Sequence, residues 1–207
     1  MGGYDDADDP EETWGEGEGE GGEPVLDSVR LIGRFARHAA GLPWFAHLGE
    51  TIPRDTRDIA ETYLAGLGFP DVALVPVRNW REAALAAETR DYDAPGFEAE
   101  EQLRAGLTAT AVELYGEDTV EIALAHVAAE TGRIIREHAR NAALTWGQRP
   151  VKIVTVAAGS ASQSCHQAAL LILAGLADED HPFARKFALF EQGRWPIGIT
   201  GMSFNLF

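Results

Sequence analysis

From Ile153 to Ala177 the chain carries no Asp, Glu, Lys or Arg. A run of 25 uncharged residues is long enough to cross a bilayer. Its middle argues otherwise, because Ser160, Ser162, Gln163, Ser164, His166 and Gln167 would sit in hydrocarbon, each needing a partner. The run therefore reads as the central core element of a water-surrounded globule, not as a membrane span. It is either one long buried helix, or a strand over 151–156 that turns at Gly159 into a helix. Val151, Ile153, Val154, Thr155 and Val156 favour the strand locally. A lone strand has nowhere to place its backbone donors, and this favours the helix.

The rest of the body reads as helices between clear breakers. Helical spacing covers 25–40, stopped by Gly41 and Pro43, and a second helix starts near Pro53 with Ile59, Tyr63 and Leu67 on one face. Val72 to Val77 suits a short strand, which Pro76 demotes to an edge or an extended connection. Asn79 with Glu82 is a capping pattern that opens a short helix to about Glu88. A loop over 91–96 leads to a helix from about Phe97 to Leu114, closed by Gly116. Asp118 and Glu121 resemble a second capping pair, at the head of the longest periodic segment, which runs to about Trp146. Asp180-His181-Pro182 opens a last helix with Phe183, Phe187 and Phe190 on one side. The tail from Arg194 to Phe207 is rich in Trp, Ile, Phe and Leu and is expected to pack, extended, against the body or a second subunit.

The expected fold is thus all-α, or mainly α with at most a short edge strand. It is a multi-helix globular bundle around a central uncharged helix. A length of 207 residues with 45% apolar and 24% charged residues suits one domain with a real core. That domain spans 25–207. Residues 1–24 hold ten acids, seven glycines and no Lys, Arg or His, and are expected to form a disordered tail. Without them 23 acids face 17 bases, so the body is only mildly acidic. The start of the chain lacks a basic stretch, an apolar run and a cleavage-type small residue pattern, so the expected location is cytoplasmic. One cysteine excludes an intramolecular disulfide and a multi-cysteine zinc site.

Chemistry is sparsely signposted. Neither a P-loop nor GxGxxG is present, and no basic patch interleaves with aromatics, so direct nucleic-acid binding is not expected. No cofactor is implied. Cys165 near a helix start could gain thiolate character, and His166, His126 and Glu130 are the candidate acid–base groups beside it. Adjacent helical side chains point about 100° apart, so Cys165 and His166 do not form a dyad by adjacency. The plainer reading is an inert buried thiol beside a hydrogen-bonded histidine. His126, Glu130 and Glu137 share a helical stripe that, with His166 facing it, could hold a divalent metal. The commoner alternative pairs Glu130 and Glu137 with Arg133 and Arg140 along a solvated face.

Three function classes follow. The first is a non-catalytic binding or regulatory protein with an acidic surface for a basic protein partner, able to form a homodimer through its C-terminal apolar segment. The second is an enzyme or small-molecule binder with a polar core pocket around His166. The third is a metal-binding helical bundle.

Overall fold

The computed structural model describes residues 22–89, 94–147, 151–177 and 180–207. The acidic segment up to residue 21 lies outside the described residues, as do residues 91–93 of the loop expected over 91–96, whose last two residues, Pro95 and Gly96, instead open a helix. Among the described residues the chain forms α1 (Gly22–Ala40), α2 (Arg54–Gly66), β1 (Ala73–Pro76), α3 (Trp80–Glu88), α4 (Pro95–Tyr115), α5 (Glu117–Thr145), α6 (Val151–Leu173), α7 (Pro182–Glu191), β2 (Pro196–Thr200) and β3 (Ser203–Leu206). The fold is mainly α, as the periodicity predicts.

The uncharged run is helical, and α6 lies at the centre, packed against α1, α3, α4, α5 and α7. Small residues let its neighbours come close. Ala157, Ala161 and Ala169 of α6 and Ala139 of α5 are fully buried. From Ile153 onward α6 carries no charged side chain and can bury much of its circumference, which an amphipathic helix cannot. Continuous helix also satisfies the 151–156 backbone internally, which removes the reason for a strand there.

Several local signals act as expected. The Asn79 side chain accepts from Arg81 N–H and Glu82 N–H at 3.1 and 3.0 Å, and Glu82 reaches back to accept from Arg78 N–H at 2.9 Å. His181 caps α7, its Nδ1 accepting from Phe183 N–H at 3.1 Å. The start of α5 differs. Its cap is Gly116, at φ +78°, which also ends α4. Asp118 therefore lies inside the first turn, where with Glu117 it meets the positive end of the helix dipole.

The C-terminal segment does more than pack. β2 and β3 form an antiparallel hairpin across Gly201-Met202, and β1 pairs in parallel with β3, in the order β1-β3-β2. A two-residue connection with glycine first suits a hairpin turn. The sheet resolves the problem of the lone strand: the extended 73–76 segment finds its partner far along the chain. Pro76 sits on the edge strand, where its missing N–H does no harm. Ile197, Phe204, Leu206 and Phe207 are buried, and the Phe207 ring meets Trp80 edge-on with centroids 5.4 Å apart. The segment is spent inside its own fold, with Met202 exposed at the hairpin tip.

Candidate functional site

The residues singled out from the sequence do not converge. His126, Glu130 and Glu137 are all exposed on α5. Glu137 accepts from Arg133 Nη1 at 3.1 Å, a pair of the solvated i,i+4 kind. Among the described residues no group of three or more His, Cys, Asp or Glu is gathered as a metal ion requires. Cys165 is buried, on the face of α6 that meets α5, and burial pushes its thiol up to about 12, with a hydrogen bond to Thr131 opposing in smaller measure. A thiol at that value is neutral near pH 7 and a poor nucleophile. His166 is half-buried, and burial followed by the nearby Arg104 guanidinium holds its imidazole below the ordinary 6.5. Arg104 itself is paired with Glu101 at 2.7 Å.

A different polar cluster occupies the interior. Glu100 of α4 and Lys186 of α7 are 5% and 4% exposed, and Lys186 Nζ donates to both carboxylate oxygens at 2.8 and 2.7 Å. The Tyr63 hydroxyl of α2 donates to Glu100 Oε1, and Gln167 Nε2 of α6 donates to Oε2 at 3.2 Å. Burial pushes the Glu100 carboxyl up, but the Lys186 charge and the hydrogen bonds from Lys186, Tyr63 and Gln167 outweigh it, and the group stays below its ordinary 4.5. A carboxylate this well supplied with donors is ionised and has little basicity left to offer a substrate. Its chemistry is that of a fastener joining four helices, in keeping with the use of buried ion pairs to fix register. A water-sized chamber of about 20 Å³, lined by Tyr63, Gly96, Glu100, Gly198 and Ile199 among others, lies against it.

Sequence reasoning missed this cluster, although a signal was present. Glu100 stands on the same α4 stripe as Leu103, Leu107 and Ala111, and Lys186 stands between Phe183 and Phe190. A single acid on one apolar stripe and a single base on another are each costly alone, so each calls for the other.

A second fastener lies near the sheet. Buried Arg194 donates through Nη1 to the carbonyl oxygens of His47 and, at 3.0 Å, Glu50, and through Nη2 to Thr51 at 2.9 Å. It straps the loop before α2 to the turn after α7.

Among the described residues, two of the hollows open to the surface. A cleft of about 500 Å³ runs along α4, lined by Ala99, Leu103, Gly106 and Leu107 together with Leu67, Leu176 and His181. His166 is not among its lining residues. A smaller one of about 320 Å³ lies between Trp44, Phe45, His138 and Trp146. His138 is half-buried there, on the edge of the inner face of α5.

The exposed surface is more informative than the interior. Residues 105–132, covering the end of α4 and the first half of α5, hold five acids and no Lys or Arg. Glu113, Glu117, Asp118, Glu121 and Glu130 are all exposed. Between them stand Leu114 and Ile122, 54% and 71% exposed. No helix of the described residues is long and apolar enough to cross a membrane. No known protein family, characterised protein or solved structure matches this chain, so its own geometry carries the functional reading.

Proposed function

We propose that this is a non-catalytic binding or regulatory protein whose acidic helical surface docks a basic protein partner. The observation that carries the reading is the α4–α5 corner. Five exposed acids without a Lys or Arg among them create a negative field that steers a cationic partner. Leu114 and Ile122 supply the apolar contacts that charge alone does not. The buried Glu100–Lys186 pair supports the same reading, since it makes a stiff scaffold with its ionisable groups turned inward. A cytoplasmic setting, in which Cys165 remains a thiol, belongs to the proposal.

The test uses the full chain and a variant with Glu117→Lys, Asp118→Lys and Glu121→Lys. Partners captured by the wild type and identified by mass spectrometry are expected to be basic, to be lost by the variant, and to release as salt rises. Equal capture by both proteins, or binding indifferent to salt, refutes the reading. Repeating the capture on a chain without residues 1–24 separates the corner from the acidic tail.

A small-molecule site is the second reading, favoured by the cleft along α4. Its volume of about 500 Å³ and its apolar lining fall within the usual range for ligand sites. Leu107→Trp would fill it, and a ligand found by thermal-shift screening should lose its effect in that variant.

A further inference from the structure

We infer that the outward face of α5 is a self-complementary interface and that the protein pairs with a second copy of itself through it, the two α5 helices running antiparallel. The acidic half of this face rests on the reading above, and the arginine half extends it by naming a partner.

The argument begins with the spacing. The inner face of α5 carries Val120, Val127, Thr131 and Ile135, all buried, and packs on α6 and α1. On the opposite side the positions 118, 122, 125, 129, 133, 136 and 140 follow one another at steps of four or three, the rule for one helical stripe. Every one of them is exposed. The stripe reads the same in both directions about Ala129: Asp118 and Arg140 are eleven residues to either side, Ile122 and Arg136 seven, Ala125 and Arg133 four.

A two-fold axis at Ala129 therefore sets unlike residues opposite one another. Asp118 of one copy faces Arg140 of the other, and the same pair repeats at the far end, about 33 Å away by the rise of the helix. Ile122, 71% exposed, faces the aliphatic stem of Arg136. Glu121, on the flank, also comes within reach of Arg136. Ala125 and Ala129 at the centre are small enough to let two helices approach closely. Within the chain, Asp118, Arg136 and Arg140 form no ion pair among the described residues, so these charges are available. The parallel arrangement sets Asp118 against Asp118 and Arg140 against Arg140 and is repelled, so the pattern specifies direction as well as contact.

The charge-swap experiment is direct. The mass of the full-length chain in solution is measured across a dilution series, at low and at moderate salt. The wild type is expected to reach the mass of a dimer at high concentration and to dissociate as salt rises. Asp118→Arg alone and Arg140→Asp alone should each weaken the dimer about tenfold or more, with helicity unchanged. The double variant Asp118→Arg/Arg140→Asp restores opposite charges across the axis and should recover most of the loss. Equimolar mixing of the two single variants should recover it as well, because in the mixed dimer the Asp118→Arg position faces the Arg140→Asp position and the unchanged Arg140 faces the unchanged Asp118, so both ends attract.

A wild type that stays monomeric at every concentration overturns the inference. So does a dimer whose affinity ignores both single substitutions, or a double variant no better than the singles. If the monomeric protein still captures a basic partner through Glu117, Asp118 and Glu121, the self-pairing fails and the reading of the acidic corner stands. If the dimer forms but no basic partner is captured, the second copy is the partner that the corner serves.

Discussion

Replacing Lys186 by Met tests whether the buried cluster is a fastener. The substitution keeps the length and apolar stem of the side chain and removes the charge that sits 2.7 Å from Glu100 Oε2. At an effective dielectric of about 20, two unit charges at that separation attract by about 6 kcal/mol. The variant does not lose all of this, because Glu100 can escape by taking a proton. Protonating a carboxyl of ordinary pKa near 4.5 at pH 7 costs about 3.4 kcal/mol, and this caps the electrostatic part of the loss. The expected destabilisation at pH 7 is therefore about 3 to 4 kcal/mol, within the range found when one partner of a buried pair is removed. The pH dependence has a definite sign. In the wild type the depressed Glu100 pKa contributes stability above about 4.5, lost as pH falls through the folded value. In the variant the same carboxyl is raised, so the gap between the two proteins narrows to roughly 1 kcal/mol by pH 5. Urea unfolding followed by tryptophan fluorescence at both pH values measures it. The double variant Glu100→Leu/Lys186→Met should recover much of the loss, since an apolar pair needs no charge partner. A loss below about 1 kcal/mol at pH 7, or a gap that does not close on acidification, refutes the reasoning.

Other substitutions read the remaining claims. Cys165 should react with iodoacetamide in the native protein only at the rate of unfolding, because its thiol is buried and pushed up to about 12, and fast labelling at pH 8 would show an accessible thiolate. The His166 imidazole should titrate by NMR below 6.5; because the folded state resists the proton, it withdraws stability as pH falls through 6.5, and His166→Gln should flatten that part of the stability profile. Gly49 has φ +74°, and a Cβ there would lie 2.6 Å from the Arg78 carbonyl oxygen and 2.9 Å from the Trp146 ring. Gly49→Ala should cost about 2 kcal/mol or more by thermal or urea unfolding, whereas Gly147→Ala, also at positive φ but with no such neighbours, should cost less.

Helices were legible where one stretch of sequence held all the information. The Asn79 cap, the Pro76 edge, His181 before Pro182 and the periodic stripe of α5 are each settled by neighbours within a few residues. The central place of α6 was legible for a different reason: a long uncharged run with a polar middle suits an environment of other helices. What could not be read locally was pairing between distant segments. Ile197, Ile199, Phe204 and Leu206 alternate around Gly201-Met202, a hairpin signal, but nothing nearby says that β1 completes the sheet. Glu100 and Lys186 were hidden in the same way. Each looks like a surface charge until the stripe that carries it is seen to be buried. His126, Glu130 and Glu137 mislead in the opposite sense, because one stripe of a helix is shared as readily by solvent-facing charges as by ligands.

The sheet order also bears on how the chain acquires its structure during synthesis. β1 emerges early, yet the strand that fills its hydrogen-bonding side, β3, follows more than half the chain later. Until then Ala73 to Pro76 presents unsatisfied amides, and α2 must wait for Phe204 and Leu206 to close the small core beneath it. Helices α5 and α6, neighbours in sequence, can meet long before that. Assembly is thus ordered by chain distance, with the helical half formed first and the sheet joined last. A ribosome stalled before residue 200 would hold a helical bundle with an unsealed edge, the species on which a chaperone or a protease would act first.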